Sequence, residues 1–267
     1  MRPRRVLAVA LRQYYLIRGS AARVVPLFLW VAIDIVLWGF ITKYLGGALG
    51  GPGRIVTALL GAVLLWDFLT RVMQGVTMAF FEDVWSRNFL NVFATPLRMS
   101  EYLGGFILSS VVTGAIGLAV MLLVAELVFG FSLLSVGVAL APFLLVLFLF
   151  GIALGILAAA LVLGVGPAAE WFVWPIPAMV APFACVFYPV ATLPLWMQVV
   201  ARMLPPSWVF EGMRAVMRGG PADLVGLAIA AALAVGYLGL AVATFAGVHR
   251  HVVRTGLLAR YSAESVT

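Results

Sequence analysis

Three ionisable residues stand where water should be scarce. Asp34 lies in the middle of the apolar stretch Val24 to Ile41, and Asp67 and Arg71 lie four positions apart in the next one, Ile55 to Phe80. A charge near the centre of a bilayer costs at least ~2.5 kcal/mol unless it is paired or wet. An acid four residues ahead of a base is the favourable order for a pair on one helix, and Asp34 is a second acid that Arg71 could serve. Two chemistries fit this pattern: polar contacts lining a route through the membrane, or structural bonding between helices. Trp30, Trp38 and Trp66 flank the same positions, so a route there would be lined by aromatic rings as well as charges.

Other reactive groups are few. The only lysine is Lys43, in Thr-Lys-Tyr, so no GxxxxGK[ST] phosphate loop exists in this chain. His249 and His251 have no His or Cys cluster with which to complete a metal site. Cys185 is a lone thiol in an apolar run, and Glu211 lacks the companion polar groups that an acid or base in a membrane-embedded enzyme needs. The chain is therefore expected to be no enzyme and to hold no cofactor of its own.

The composition says what must position these residues. Of 267 residues 64% are apolar and only 10% charged, against about a quarter charged in soluble domains. The chain is expected to be an all-α integral membrane protein, built as one domain over 1–267. Its parts are an interfacial helix at 1–23, a six-helix membrane domain at 24–248 and a cytoplasmic tail at 249–267. Besides the two stretches named above, Leu103 to Phe129, Val138 to Leu163, Trp171 to Tyr188 and Leu224 to Val248 approach the roughly 20 residues a spanning helix needs. The fifth is punctuated by Pro175, Pro177 and Pro182, which remove backbone donors and can kink a helix. Gly151, Gly155 and Ala159, and again Gly226, Ala230 and Ala234, repeat small residues every four positions and allow close helix approach.

Charge placement sets the orientation. The net charge is +7, but the arginines border apolar runs, which suits anionic lipid and topology rather than nucleic acid. Arg2, Arg4, Arg5, Arg12, Arg18 and Arg23 precede the first span, Arg87 and Arg98 follow the second, and Arg250, Arg254 and Arg260 follow the last. These outnumber Lys43, Arg54, Arg202, Arg214 and Arg218 in the opposite connections. Both termini are accordingly expected in the cytoplasm. The apolar run after Arg5 stops at Arg12, too soon for a signal-peptide core, so the first segment is expected to be retained. In that leader Leu7, Ala10, Tyr14 and Ile17 share one side and Arg5 and Arg12 another, the pattern of a helix resting in the interface.

Two connections carry further patterns. In Phe81 to Glu101, Phe89, Leu90 and Phe93 form an apolar face while Glu82, Asp83, Arg87 and Asn88 are polar, and Pro96 ends the helix. Such a short cytoplasmic amphipathic helix fits the docking of a soluble partner. From Phe187 to Gly219 the chain reads FYPVATLPLWMQVVARMLPPSWVFEGMRAVMRG, an amphipathic, proline-rich stretch that the charge count places outside.

The chain resembles the ABC-2-type exporter permeases over nearly its whole length. The most specific match is the outer stretch. Tyr188 and Pro189 stand for the family's Tyr-Pro, Leu193 and Pro194 for its Leu-Pro, Pro206 for the proline of its Asn-Pro, and Glu211 and Arg214 for the charged pair that follows. Pro205 replaces the usual Asn, and Cys185 stands where a small residue, often Gly, is common. Glu82 and Asp83 resemble the start of the family's acidic coupling segment, and Thr95 with Pro96 its ending, but the Gly-Thr between them is missing. The resemblance implies six spans, a cytoplasmic coupling helix between the second and third, and re-entrant short helices on the outer side between the fifth and sixth. It also implies a homodimer in a bacterial-type cytoplasmic membrane with two copies of an ABC ATPase subunit, on which ATP and Mg would act. The cargo would be an amphipathic substrate such as a polysaccharide, glycolipid or drug. The alternative is an ion-coupled secondary transporter, with Asp34, Asp67 or Arg71 coupling the ion and no ATPase.

Overall fold

A computed structural model describes residues 2–48, 54–86, 89–130, 137 and 140–257. The described residues form helices joined by short turns. The helices are α1 (Pro3–Arg18), α2 (Ala21–Ala48), α3 (Arg54–Trp85), α4 (Phe89–Ala94), α5 (Met99–Phe129), α6 (Leu140–Val165), α7 (Ile176–Ala184), α8 (Leu195–Arg202), α9 (Pro205–Met217) and α10 (Leu224–Arg254).

Local chemistry sets the boundaries. Pro3 opens α1 and Pro205 and Pro206 open α9, positions where a missing N–H costs nothing. Asp223 caps α10 by accepting from the Gly226 N–H at 2.9 Å. Glu101, three residues into α5, folds back to accept from the Arg98 N–H at 3.0 Å. Gly130 ends α5 with φ of 63°, the left-handed conformation that glycine adopts without a Cβ clash.

Among the described residues four helical stretches are long and apolar enough to cross a membrane: Leu59–Trp85, Met99–Phe129, Leu140–Val165 and Leu224–Arg254. The protein is an integral membrane protein. α6 is apolar on every side and buried along most of its length, from Phe143 through Leu163, as a central helix must be. It packs on α3, α10 and α9, while α5 lies against α3, α1 and α2. The small residues work inside the chain: Ala230 and Ala234 of α10 are fully buried, and Gly151 and Gly155 let α6 lie directly on the α3 backbone.

The fold departs from the sequence reading at two places. α3 runs on to Trp85, so Phe81, Glu82 and Asp83 belong to the second long helix, and α4 is a separate six-residue helix. Residues 87–88 lie outside the described residues, and with them Arg87. The stretch Trp171 to Tyr188 is divided between a 3-10 turn at Pro167–Phe172 and the nine-residue α7. At 1.5 Å per residue α7 is about 13 Å long, short of the roughly 30 Å of a bilayer core. Prolines at 175 and 177 start α7 afresh, and Cys185, left-handed at φ of 56°, stops it.

Candidate functional site

The three intramembrane charges meet. One amino group of Arg71, Nη2, lies 3.9 Å from an Asp34 carboxylate oxygen and 3.9 Å from one of Asp67. Two carboxylates from α2 and α3 thus share a single guanidinium, beyond hydrogen-bond range of it. Asp67 and Arg71 are largely enclosed, whereas Asp34 is 42% exposed and opens the cluster to the surface. The aromatic residues expected beside it reach toward the short helices. Trp38 stacks on Phe187 with ring centroids 5.0 Å apart, and Trp66 leans on Phe210 of α9 at 6.4 Å. The Trp30 side chain lies outside the described residues. Trp38 is one turn, about 6 Å along α2, from Asp34 and Trp66 adjoins Asp67, so the charge cluster lies close to the ring contacts with Phe187 and Phe210.

That turn is built by residues distant in sequence. Arg214 of α9 donates from Nη1 to the backbone carbonyls of Cys185, at 2.8 Å, and Val186, at 3.2 Å, and its Nη2 faces Glu211 at 3.2 Å. Glu211 in turn accepts from the Val190 N–H at 2.6 Å. The pair therefore grips both sides of Tyr188 and Pro189. The Tyr188 hydroxyl donates to the Pro182 carbonyl at 2.7 Å, which folds the turn back onto α7. Leu193 precedes Pro194, the N-cap of α8, and Pro206 is buried in the first turn of α9. Leu195, Trp196, Val199 and Met203 leave one apolar face of α8 exposed.

Cys185 stands at the one left-handed non-glycine position among the described residues, which accounts for a glycine preference there. Its side chain is buried, so Cys185→Gly exchanges relief of about 1–2 kcal/mol of backbone strain for lost packing of similar size. Thermal unfolding is expected to leave Cys185→Gly near the parent midpoint and to lower that of Cys185→Val, whose β-branch fits a positive φ poorly. Equal midpoints for the two variants would count against strain at this turn.

The acidic residues near α4 point inward. Asp83 is fully buried: it faces the Arg12 guanidinium of α1 and accepts from the Tyr102 hydroxyl at 2.7 Å. It is not part of an exposed docking surface. Glu82 is half-buried, while Pro96 is exposed and its carbonyl accepts from Arg5. Helix α4 carries Phe89 and Phe93, whose side chains lie outside the described residues. Glu101 is 1% exposed and accepts from the Arg2 N–H at 2.7 Å and from Arg5 Nη1 at 3.3 Å. Arg5 and Arg12, assigned from sequence only to the side of α1 away from Leu7 and Tyr14, are thus the partners of two buried acids. Tyr102, Glu101 and the hydrogen bond from Trp85 Nε1 to Glu170 at 2.8 Å were not singled out from sequence. The seven-residue spacing of Arg5 and Arg12 was their available signal, because it puts two bases on one helix face.

The comparison with curated proteins gave no match. The family model described as ABC-2 type transporter matches residues 8–217, from within α1 to the end of α9. That span covers the charge cluster, α4 and the turn held by Glu211 and Arg214, and the chain belongs to the ABC-2 type transporter family.

Proposed function

We propose that this chain is the permease subunit of an ATP-driven exporter, moving an amphipathic substrate such as a polysaccharide, glycolipid or drug out across the cytoplasmic membrane. Family membership carries this reading, since an ABC-2 permease implies a separate ATPase partner. The reading includes two permease copies with two ATPase subunits, ATP and Mg on those subunits, and both termini in the cytoplasm. It treats residues 1–267 as one domain with six passages, α2 and the broken segment around α7 completing the four long spans. Helices α8 and α9 would form a re-entrant pair at the outer exit.

Within this reading Asp34, Asp67 and Arg71 contact cargo along the route. The support is chemical: Asp67 Oδ2 and Arg71 Nε are buried without a hydrogen-bond partner among the described residues, which favours water or ligand beside them. Trp30, Trp38 and Trp66 supply aromatic faces there. Phe89 and Phe93 of α4 form the apolar docking contact, with Glu82, Arg87 and Pro96 bordering it. Asp83 acts behind that surface.

Copurification tests the assignment. An ABC ATPase expressed with the permease is expected to copurify, and Phe89→Ala with Phe93→Ala is expected to reduce its recovery by more than tenfold, the loss of two buried aromatic anchors. Full recovery with the double variant would overturn the docking contact. Transport driven by an ion gradient, without any ATPase, would instead favour the secondary-transporter reading of the same three charges.

A further inference from the structure

We propose that the cargo is a lipophilic cation, whose charge is taken up between Asp34 and Asp67 while its apolar body lies in a cleft farther along α3. This rests on the reading of Asp34, Asp67 and Arg71 as part of a cargo route, and names what that route accepts. The cluster holds two acids and one base, so one carboxylate charge is left over. Arg71 is the only base between Leu59 and Trp85. Its stem is backed by α5, where a Cβ on Gly117 would fall 3.4 Å from the Arg71 Cδ. The guanidinium stands 3.9 Å from each acid, beyond hydrogen-bond range of both.

The leftover charge has no answer from the chain. Asp67 Oδ2 is buried without a hydrogen-bond partner among the described residues, and Asp34 opens to the surface. An enclosed carboxylate that shares one counterion with a second carboxylate is costly, and an entering cation offsets that cost. An anion would instead meet two carboxylates in a medium that screens them poorly. Trp38 and Trp66, next to the two acids, present aromatic faces of the kind that attract cations.

A cleft of matching character lies on the same face of α3. Asp67, Arg71, Gln74, Met78 and Trp85 follow one another at intervals of three, four and seven residues and are not buried, whereas Phe68, Val72, Val76 and Phe80 on the other faces are. This open face runs from the charge cluster into a cleft between α3 and residues 173–177. Met73, Gln74, Met78, Phe81, Val173 and Trp174 line it, and no charged side chain does. Beyond Met78 the hydrogen bond from Trp85 to Glu170 ties the two walls together. At 1.5 Å per residue Arg71 and Met78 are about 10 Å apart along α3, room for a molecule with a charge at one end and apolar rings at the other. A polysaccharide has no use for such an apolar wall, and a phosphate-bearing glycolipid carries the wrong sign for the cluster.

Tetraphenylphosphonium and tetraphenylborate, alike in shape and opposite in charge, provide the test. Equilibrium dialysis of each radiolabelled ion is run against the permease alone in nanodiscs of zwitterionic lipid, with the signal of empty discs subtracted. Tetraphenylphosphonium is expected to bind saturably, and tetraphenylborate about tenfold more weakly or worse. Asp34→Asn, at a half-exposed position, is expected to weaken the phosphonium by about tenfold and bring the two ions close to equal affinity, with Asp34→Glu restoring the preference. Trp174→Ala is expected to weaken the phosphonium while keeping the preference, because it removes apolar wall and no charge. Equal affinity of the two ions for the parent, saturable binding of neither, or a phosphonium affinity indifferent to Asp34→Asn would each overturn the proposal. The comparison on the parent decides the matter even where a variant fails to fold. No ATPase takes part, so the exporter reading is judged separately by copurification: a permease that retains its ATPase but prefers the borate keeps that reading and loses the cation.

Discussion

Gly155→Leu is expected to abolish accumulation of folded protein in the membrane. A Cβ on Gly155 would fall 2.8 Å from the Met73 carbonyl oxygen and 2.8 Å from the Val76 Cβ, and one on Gly151 would fall 2.9 Å from the Leu69 carbonyl oxygen. Carbonyls in a helix cannot step aside, so α3 and α6 would have to separate along their contact. Val72, Met73 and Val76 are buried in that contact, and overpacking of a tight core by even a few methylenes costs about 1–3 kcal/mol. Leucine against rigid backbone exceeds that range and approaches the ~5–15 kcal/mol that holds a typical domain together. Gly236 of α10 provides the control, having no atom within 4 Å of a Cβ built there. Gel filtration of fluorescently tagged permease should give a folded peak for Gly236→Leu and none for Gly155→Leu. Similar peaks would sink the close-contact account.

Arg214→Ala should have the second largest effect, through release of the turn between α7 and α8. Arg214 supplies two hydrogen bonds to the carbonyls of Cys185 and Val186 and one charge contact to Glu211. Hydrogen bonds from a charged donor contribute about 1.5–3 kcal/mol each, so loss of the set should destabilise by about 3 kcal/mol or more. Lysine should rescue poorly, because its compact ammonium cannot reach two carbonyls and a carboxylate as a planar fork does. Glu211→Gln should be milder, since an amide oxygen still accepts from the Val190 N–H. Thermal midpoints and protease cleavage after Phe187 would report the order Arg214→Ala, Arg214→Lys, Glu211→Gln. Wild-type resistance in Arg214→Ala would show that the turn is held by other contacts.

What could be read in the sequence follows the range over which each signal acts. The long apolar stretches and the four-residue spacing of Asp67 and Arg71 are local patterns; all of the stretches except Trp171 to Tyr188 reappear within long helices, and the spacing reappears as a contact. The glycine stripe at 151 and 155 was legible as close packing, but the partner was not, because small residues mark proximity without naming a neighbour. Asp83 shows the limit most clearly. Its polarity and its place before α4 suggested an outward, docking role, whereas its partners Arg12 and Tyr102 come from other helices. A helical period assigns a side chain to a face; which helix covers that face is settled by tertiary packing. The prolines between 167 and 189 announced an interruption, yet the grip of Arg214 on Cys185 joins residues 29 positions apart.

Biogenesis meets the packing of α6 in a fixed order. The ribosome delivers α6 after α3 but well before α10, whose fully buried Ala230, Ala234 and Ala241 and the ring of Tyr237 on Phe150 cover its remaining side. Until α10 arrives, that side of α6 has only lipid against it, and its lack of any charge between Leu140 and Val165 makes the wait harmless. A polar residue placed there to strengthen the finished bundle would instead face hydrocarbon during synthesis. The greasiness of α6 on every side is thus as much a requirement of the assembly sequence as of the completed fold.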